Sequence, residues 1–213
     1  MSEIVYLGSM FTRGGKYTKD VERRVCAGNR VNGALGSLVG SLCLSSKAKL
    51  AIHNAVLTPT LLYGSESWVC QKKHESMINA VEMRSLRRMC GISLWDRIRN
   101  DEVRDRVGMK ESIGARMKKG MLRWFGHVER MNTNRLTYQI YKAEVKGKKS
   151  RGRPRLNYHN QIERILSVGE VRSPRNRRAC MKRAMTVDDA KVACRDRVKW
   201  RSIISAYPAR DPA

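Results

Sequence analysis

The sequence is short of aromatics, of acid and of long apolar runs, and each shortage excludes something. With 2 Phe, 7 Tyr and 4 Trp in 213 residues, a core must be filled with Leu, Val, Ile, Ala and the 11 Met. The least polar stretch, residues 34–44, is too short and too rich in Gly and Ser to span a bilayer. Met1-Ser2-Glu3-Ile4-Val5-Tyr6 has no basic segment leading into an apolar one, so it does not read as a signal peptide. The six cysteines, at positions 26, 43, 70, 90, 180 and 194, contain no Cys-x-x-Cys pair and are expected to be reduced thiols. The chain is therefore expected in the nucleus or cytoplasm, neither secreted nor membrane-spanning.

What the sequence has in excess is positive charge. Lys and Arg number 44 against 19 Asp and Glu, a net +25, divided as +8 over residues 1–100 and +17 over 101–213. Such an excess repels itself in a compact state and calls for an anionic partner. Nucleic acid comes first. A membrane surface is the lesser expectation, because the basic segments lack adjacent apolar anchors. No small-molecule substrate is indicated, and oligomeric state is left open.

The periodicity is mostly helical. Ile4–Gly8 and Met10–Thr12 are β-prone runs, with Gly14-Gly15 as the turn signal. Asp20 is the expected cap of a helix carrying Val21, Val25, Ala34, Leu35, Leu38 and Leu42 on one side. Ser45-Ser46 caps Lys47–Leu57, which Pro59 should kink or end. Glu75–Met89 forms a helix closed by Gly91, and Asn100 caps a charged helix closed by Gly108. After Ser112, the residues Ile113, Met117, Met121, Trp124, Val128 and Met131 make a continuous apolar stripe, with Arg116, Lys119, Arg123 and Arg130 off it. A short helix over Leu136–Ala143 precedes Lys146–Arg155, which holds six cations, no acid, two glycines and a proline and reads as an exposed linker. Beyond it come a helical stretch over Tyr158–Val168, a very basic run from Arg172 to Arg183 and a last helix from Thr186 to about Ser205.

Four segments carry a resemblance. They are Tyr6-Leu7-Gly8-Ser9; Pro59-Thr60-Leu61-Leu62-Tyr63-Gly64-Ser65-Glu66-Ser67-Trp68; Leu122-Arg123-Trp124-Phe125-Gly126-His127-Val128-Glu129-Arg130-Met131; and Arg151-Gly152-Arg153-Pro154-Arg155, followed by Arg195-Asp196-Arg197 and Trp200-Arg201. In that order they resemble the region downstream of the polymerase active site in reverse transcriptases of non-LTR (LINE-type) retrotransposons. The first looks like the strand near the primer terminus and the second like the thumb-helix signature. The chain departs at Tyr158, where the family usually has Trp, and at Asn160, where Asp often stands. The resemblance implies structural roles for Tyr6, Leu7, Gly8, Tyr63, Gly64, Trp68, Trp124, Gly126, His127 and Trp200. It also implies that the palm and its metal-binding aspartates lie upstream of Tyr6, which only five residues precede. No polymerase activity is expected of this chain, and no cofactor; Mg2+ belongs to the intact family enzyme.

The residues themselves offer no catalytic group. Asp188-Asp189 is the sole adjacent aspartate pair, and it sits in a first helical turn behind Thr186, where acids favour the helix dipole. Cys70-x3-His74 has tolerable metal-ligand spacing, but Cys90 is the only further ligand in view, so no metal site is expected. Tyr63 and Trp68 read as core anchors. Phosphate contacts are expected from Arg84, Arg87, Arg88 and Arg123, with Lys72 and Lys73, and from the linker cations Lys148, Lys149, Arg151, Arg153 and Arg155. Arg151-Gly152-Arg153-Pro154 resembles an AT-hook core, which places arginines in a narrow A·T minor groove; a solvated hinge or a nuclear-localisation signal are its other readings.

The expected fold is mainly α. A β remnant of palm or primer-grip strands occupies 1–15, a helical thumb-like region 16–108, a helical connection 109–145, a basic linker 146–155 and basic C-terminal helices 156–213. The β remnant should be loosely held and expose apolar surface, since a lone hairpin is marginal. The function expected is sequence-tolerant binding of a primer–template or target duplex, DNA or RNA/DNA hybrid. A non-functional transposon relic and a domesticated A·T-preferring DNA-binding module are the alternatives.

Overall fold

The computed structural model describes residues 3–12, 17–143, 156–168 and 185–210. Gly14-Gly15, the linker with Lys148, Lys149, Arg151, Arg153 and Arg155, and the basic run 172–183 lie outside the described residues. The fold is mainly helical, with one two-stranded antiparallel sheet at the N-terminus. No described helix is long and apolar enough to cross a membrane.

Strands β1 (Glu3–Tyr6) and β2 (Ser9–Thr12) pair in the register Glu3↔Thr12 to Tyr6↔Ser9. The connection is Leu7-Gly8, both at positive φ (46° and 77°), as a two-residue hairpin turn of the primed type requires. In Tyr6-Leu7-Gly8-Ser9, the expected strand motif, Tyr6 and Ser9 are thus strand ends and Leu7-Gly8 the turn between them. As expected, the hairpin exposes apolar side chains: Ile4, Val5, Tyr6, Leu7 and Phe11 are all more than half exposed.

The helices fall into two compact units, divided between Met117 and Lys118. In the first unit, α1 (Thr18–Ala34) is followed after Leu35 by the short α2 (Gly36–Gly40). The interruption shifts the register, so Val39 is buried while Leu38 and Leu42 face solvent. Asp20 does not cap α1. It lies inside the first turn and is 2% exposed.

Ser45 caps α3 (Ser46–Ile52) as expected, its hydroxyl accepting from Ala48 N at 3.2 Å. The chain does not stop at Pro59. It widens into a π turn over His53–Leu57 and resumes as α4 (Thr58–Leu62), with Pro59 in the first turn, where its missing N–H costs least. Helix α5 (Lys72–Met89) ends in a Schellman motif: Gly91 adopts φ 65°, and Ile92 N donates to Arg87 O at 2.9 Å. Helix α6 (Asn100–Val107) is closed by Gly108 at φ 78°. Asn100 caps nothing; its side-chain oxygen accepts from Arg87 instead.

Two cores result. One joins Val21, Leu57, Leu61, Trp68, Ile78 and Val81 around α1, α4 and α5; the other joins Met83, Leu86, Val103, Val107 and Met109 between α5 and α6. Each large side chain buried there contributes about 1.5–3 kcal/mol. Gly28 allows α1 its close approach, because a Cβ there would stand 2.5 Å from Leu61 Cδ2.

Helix α7 (Ile113–Glu129) buries Ile113, Met117, Met121 and Val128 of the expected stripe, while Trp124 and Met131 are only half-buried. Ala115, Leu122, Phe125 and Gly126 are buried as well, so the apolar face is wider than the stripe. In the second unit the core gathers Leu122, Phe125, Ile162, Ile165, Cys194 and Trp200. Its other helices are α8 (Leu136–Lys142), α9 (Tyr158–Val168), α10 (Val187–Arg195) and α11 (Arg197–Ala206). The single last helix expected is two, because Asp196 breaks it and caps α11, accepting from Val198 N at 2.8 Å and Lys199 N at 3.2 Å.

Candidate nucleic-acid interface

Helix α5 is amphipathic in a way that decides the site. Its N-terminus is closed by a reciprocal cap between Gln71 and His74, and its Ile78, Val81 and Leu86 face the cores. Four-residue spacing puts Ala80, Arg84 and Arg88 on one row, and Asn79, Met83 and Arg87 follow beside it. These residues, with Ile92, Ser93, Leu94 and Asn100, line an open groove of about 690 Å³ that has no carboxylate in its wall.

The three arginines are oriented by neutral acceptors. Arg84 donates to Asn29 Oδ1 at 2.5 Å, and Arg88 to Asn32 O at 2.7 Å. Arg87 reaches across the α5–α6 connection to Ile98 O at 2.6 Å, Asn100 Oδ1 at 3.2 Å and Ser93 O at 3.4 Å. Their side chains are held, and none of the three has an ion pair among the described residues. Other arginines of this unit spend theirs: Arg104 pairs with Glu82 and Asp101, Arg106 with Glu102, and Arg210 with Asp105. A guanidinium has five donors in a rigid fork, so each groove arginine keeps N–H groups for a phosphate oxygen. Lys72 and Lys73 are exposed at the start of α5 and are not among the groove-lining residues, and Arg123 is exposed on α7 in the second unit.

The described parts of the resembling segments make contacts with one another. Tyr63 Oη donates to Leu7 O at 2.9 Å, while Arg24 lies 4.6 Å over the Tyr63 ring and donates to Gly8 O at 2.6 Å. Gly64 is left-handed at φ 74°, and a Cβ there would stand 2.8 Å from Ser9 Oγ. Tyr63 is therefore a half-exposed clamp on the hairpin turn, not the core anchor expected. Trp68 is that anchor, 1% exposed. In the second unit, a Cβ on Gly126 would stand 2.1 Å from Trp200 Nε1, which donates to Leu122 O at 3.0 Å. Trp124 and His127 share a ring contact at 5.5 Å on the outer side of the same helix.

The remaining candidates resolve into structural roles. His74 has Gln71 N on Nδ1 at 3.5 Å and Thr18 Oγ1 beside Nε2 at 3.3 Å, and Cys70 points its thiol at Met117 Sδ, 3.7 Å away. Among the described residues no group of three or more His, Cys, Asp or Glu is placed to hold a metal. Asp189 completes a capping box with Thr186, and Asp188 pairs with Lys191.

Two residues stand in places that the sequence reading did not assign them. Asp20 receives Met10 N at 2.8 Å on one oxygen and Trp68 Nε1 at 3.0 Å on the other. Trp95 projects into solvent beside the groove, 91% exposed, with Leu94 next to it. Its sequence signal was a Leu-Trp pair outside any helical period. That pair also places an apolar tip next to Arg97 and Arg99, against the premise that the basic segments have no apolar neighbours.

The chain is 24% identical over 140 residues to an uncharacterized transposon-derived protein of Caenorhabditis elegans. The match takes in 64% of this chain and 50% of that protein, so the chain spans about half the length of that curated relative. No protein-family model matches the chain, and neither does any solved structure.

Proposed function

We propose that the chain is a nucleic-acid-binding module derived from a non-LTR retrotransposon reverse transcriptase, thumb-like in its first unit and without polymerase activity of its own. It grips a primer–template or target duplex through phosphates seated in the α5 groove. One observation carries the reading: Arg84, Arg87 and Arg88 line one groove with no carboxylate, each held by neutral acceptors. The distant likeness to a transposon-derived protein supports the origin. So do the contacts of Tyr63 with the Leu7-Gly8 turn and of Gly126 with Trp200, which join residues of the first resembling segment to the second and of the third to the Trp200-Arg201 stretch.

The test is a salt titration of binding to labelled duplex by the full chain. The logarithm of affinity should fall linearly with the logarithm of salt, by about 0.9 per phosphate contacted. Arg84→Ala and Arg88→Ala should each reduce that slope by about 1 and weaken all sequences alike. Primer extension by the same preparation should not exceed a no-enzyme control. Affinity indifferent to salt, or to both substitutions, would reject the reading.

A further inference from the structure

The ten residues Cys90–Arg99 that join α5 to α6 are built as a pedestal with an apolar tip. Ile92 and Ile98, near its two ends, pack against the Met83–Leu86–Val103 core. Between them Leu94 and Trp95 are 81% and 91% exposed. The tip is braced by its own side chains: Ser93 N donates to Asp96 Oδ2 at 2.6 Å, and Trp95 N to Ser93 Oγ at 3.2 Å. Arg97 takes φ 50°, a left-handed conformation that a side chain of its size seldom adopts. Arg87 bonds the carbonyls of Ser93 and Ile98 on either side, so one guanidinium ties both flanks of the tip to α5.

An indole this exposed, on a segment this constrained, does not serve the core. Its surroundings are cationic. Residues 84–99 carry five arginines and one acid, Asp96, whose carboxylate already accepts from Ser93 N. Neither Arg97 nor Arg99 has an ion pair among the described residues. An aromatic platform beside a row of arginines is the chemistry that takes an unpaired base while its backbone phosphates are neutralised. A membrane surface fits less well, because two apolar residues on a loop offer little area to bury and no amphipathic helix follows them.

We infer that Trp95, with Leu94, is a base-stacking wedge: it takes the unpaired nucleotide at the end or fork of a duplex whose phosphates lie in the α5 groove. The inference rests on the proposed binding reading and adds a substrate class to it, a junction between paired and single-stranded nucleic acid.

The experiment compares blunt duplex, the same duplex with a short single-stranded overhang carrying 2-aminopurine as its first unpaired base, and vesicles of anionic phospholipid. Each is titrated with the full chain, with Trp95→Ala, with Trp95→Phe and with Arg84→Ala. The tip is solvent-exposed, and unchanged far-ultraviolet dichroism checks that each variant folds. Wild type should prefer the overhang substrate and quench the 2-aminopurine. Trp95→Ala should lose roughly 5- to 150-fold on that substrate, in line with the loss of one stacked base. It should bind blunt duplex almost as wild type does and keep its salt slope, while Trp95→Phe retains most of the preference. Arg84→Ala should weaken both substrates alike. If Trp95→Ala binds overhang and blunt duplex like wild type, or loses equally on both, the wedge is wrong and the groove reading stands. If wild type binds neither nucleic acid in a salt-dependent way, both fall. Tighter binding to vesicles than to either nucleic acid, abolished by Trp95→Ala, overturns the wedge in favour of a membrane anchor.

Discussion

His53 shows how much one side chain can set. It opens the π turn, is buried at 1% exposure, and has its Nδ1 3.1 Å from Ser85 Oγ, while Nε2 has no partner among the described residues. Burial and the nearby positive charge of Arg116 lower its pKa from the ordinary 6.5 to about 4. The folded state therefore holds His53 neutral where the unfolded chain would already be protonated. Stability from this group is complete above pH 6.5 and is lost as pH falls from there towards 4, because the unfolded state then binds more protons. Each pH unit across that window should cost roughly 1.4 kcal/mol. His74 and His159 are lowered too, chiefly by burial, and act in the same direction. Urea unfolding at pH 7.5, 6 and 5 should show this decline. His53→Gln, which cannot take up the proton, should remove most of it; a decline of equal size in the variant would assign it to other groups.

At the scale of elements, the hairpin was expected to be loosely held, and three contacts instead tie it to the helices. Met10 N–H leaves the β2 edge and meets Asp20, Arg24 holds Gly8 O, and Tyr63 holds Leu7 O. A buried carboxylate bonded to two donors is costly to remove, at about 1.5–3 kcal/mol for each charged hydrogen bond. Asp20→Ala should therefore lower stability by about 3 kcal/mol and speed amide exchange of Met10. Wild-type rates retained at Met10 would show that the hairpin holds itself. None of this was legible in the sequence, where Asp20 reads as a helix cap. Its partners stand 10 and 48 residues away, and no local pattern announces them. Elements that end by local rules were legible: Gly91 and Gly108 mark the ends of α5 and α6, Ser45 marks the start of α3, and Thr186-Asp189 caps α10. At Pro59 the sequence left a kink or an end open, and the π turn by which the chain continues, with His53 and Leu57 buried, was not legible. The same division holds at the candidate interface. The arginines of α5 could be picked out by spacing, whereas their freedom from carboxylates and the nearby indole at Trp95 required the fold.

For the whole molecule the governing quantity is the charge of +25, and the ion pairs Lys19–Glu3, Arg106–Glu102, Lys191–Asp188 and Arg210–Asp105 set against it are largely exposed. Exposed pairs contribute little, so repulsion among the uncompensated cations should dominate the electrostatics of folding. Two opposite responses to salt are then expected from the same protein. Without nucleic acid, raising salt screens repulsion over a Debye length that shrinks from about 10 Å at 0.1 M to about 3 Å at 1 M, and the midpoint of thermal unfolding should rise. With duplex at about 100 times its dissociation constant in low salt, binding contributes about 2.7 kcal/mol to the folded state. Salt then removes that contribution by weakening the phosphate contacts, so the midpoint should fall with salt until the two curves meet. Scanning calorimetry over 50–500 mM salt, with and without duplex, reads both trends in one series. A midpoint that falls with salt in the absence of nucleic acid would mean that ion pairs outweigh repulsion. The charge would then be a property of the surface that is balanced within the fold, and the argument for an anionic partner from net charge would lose its force.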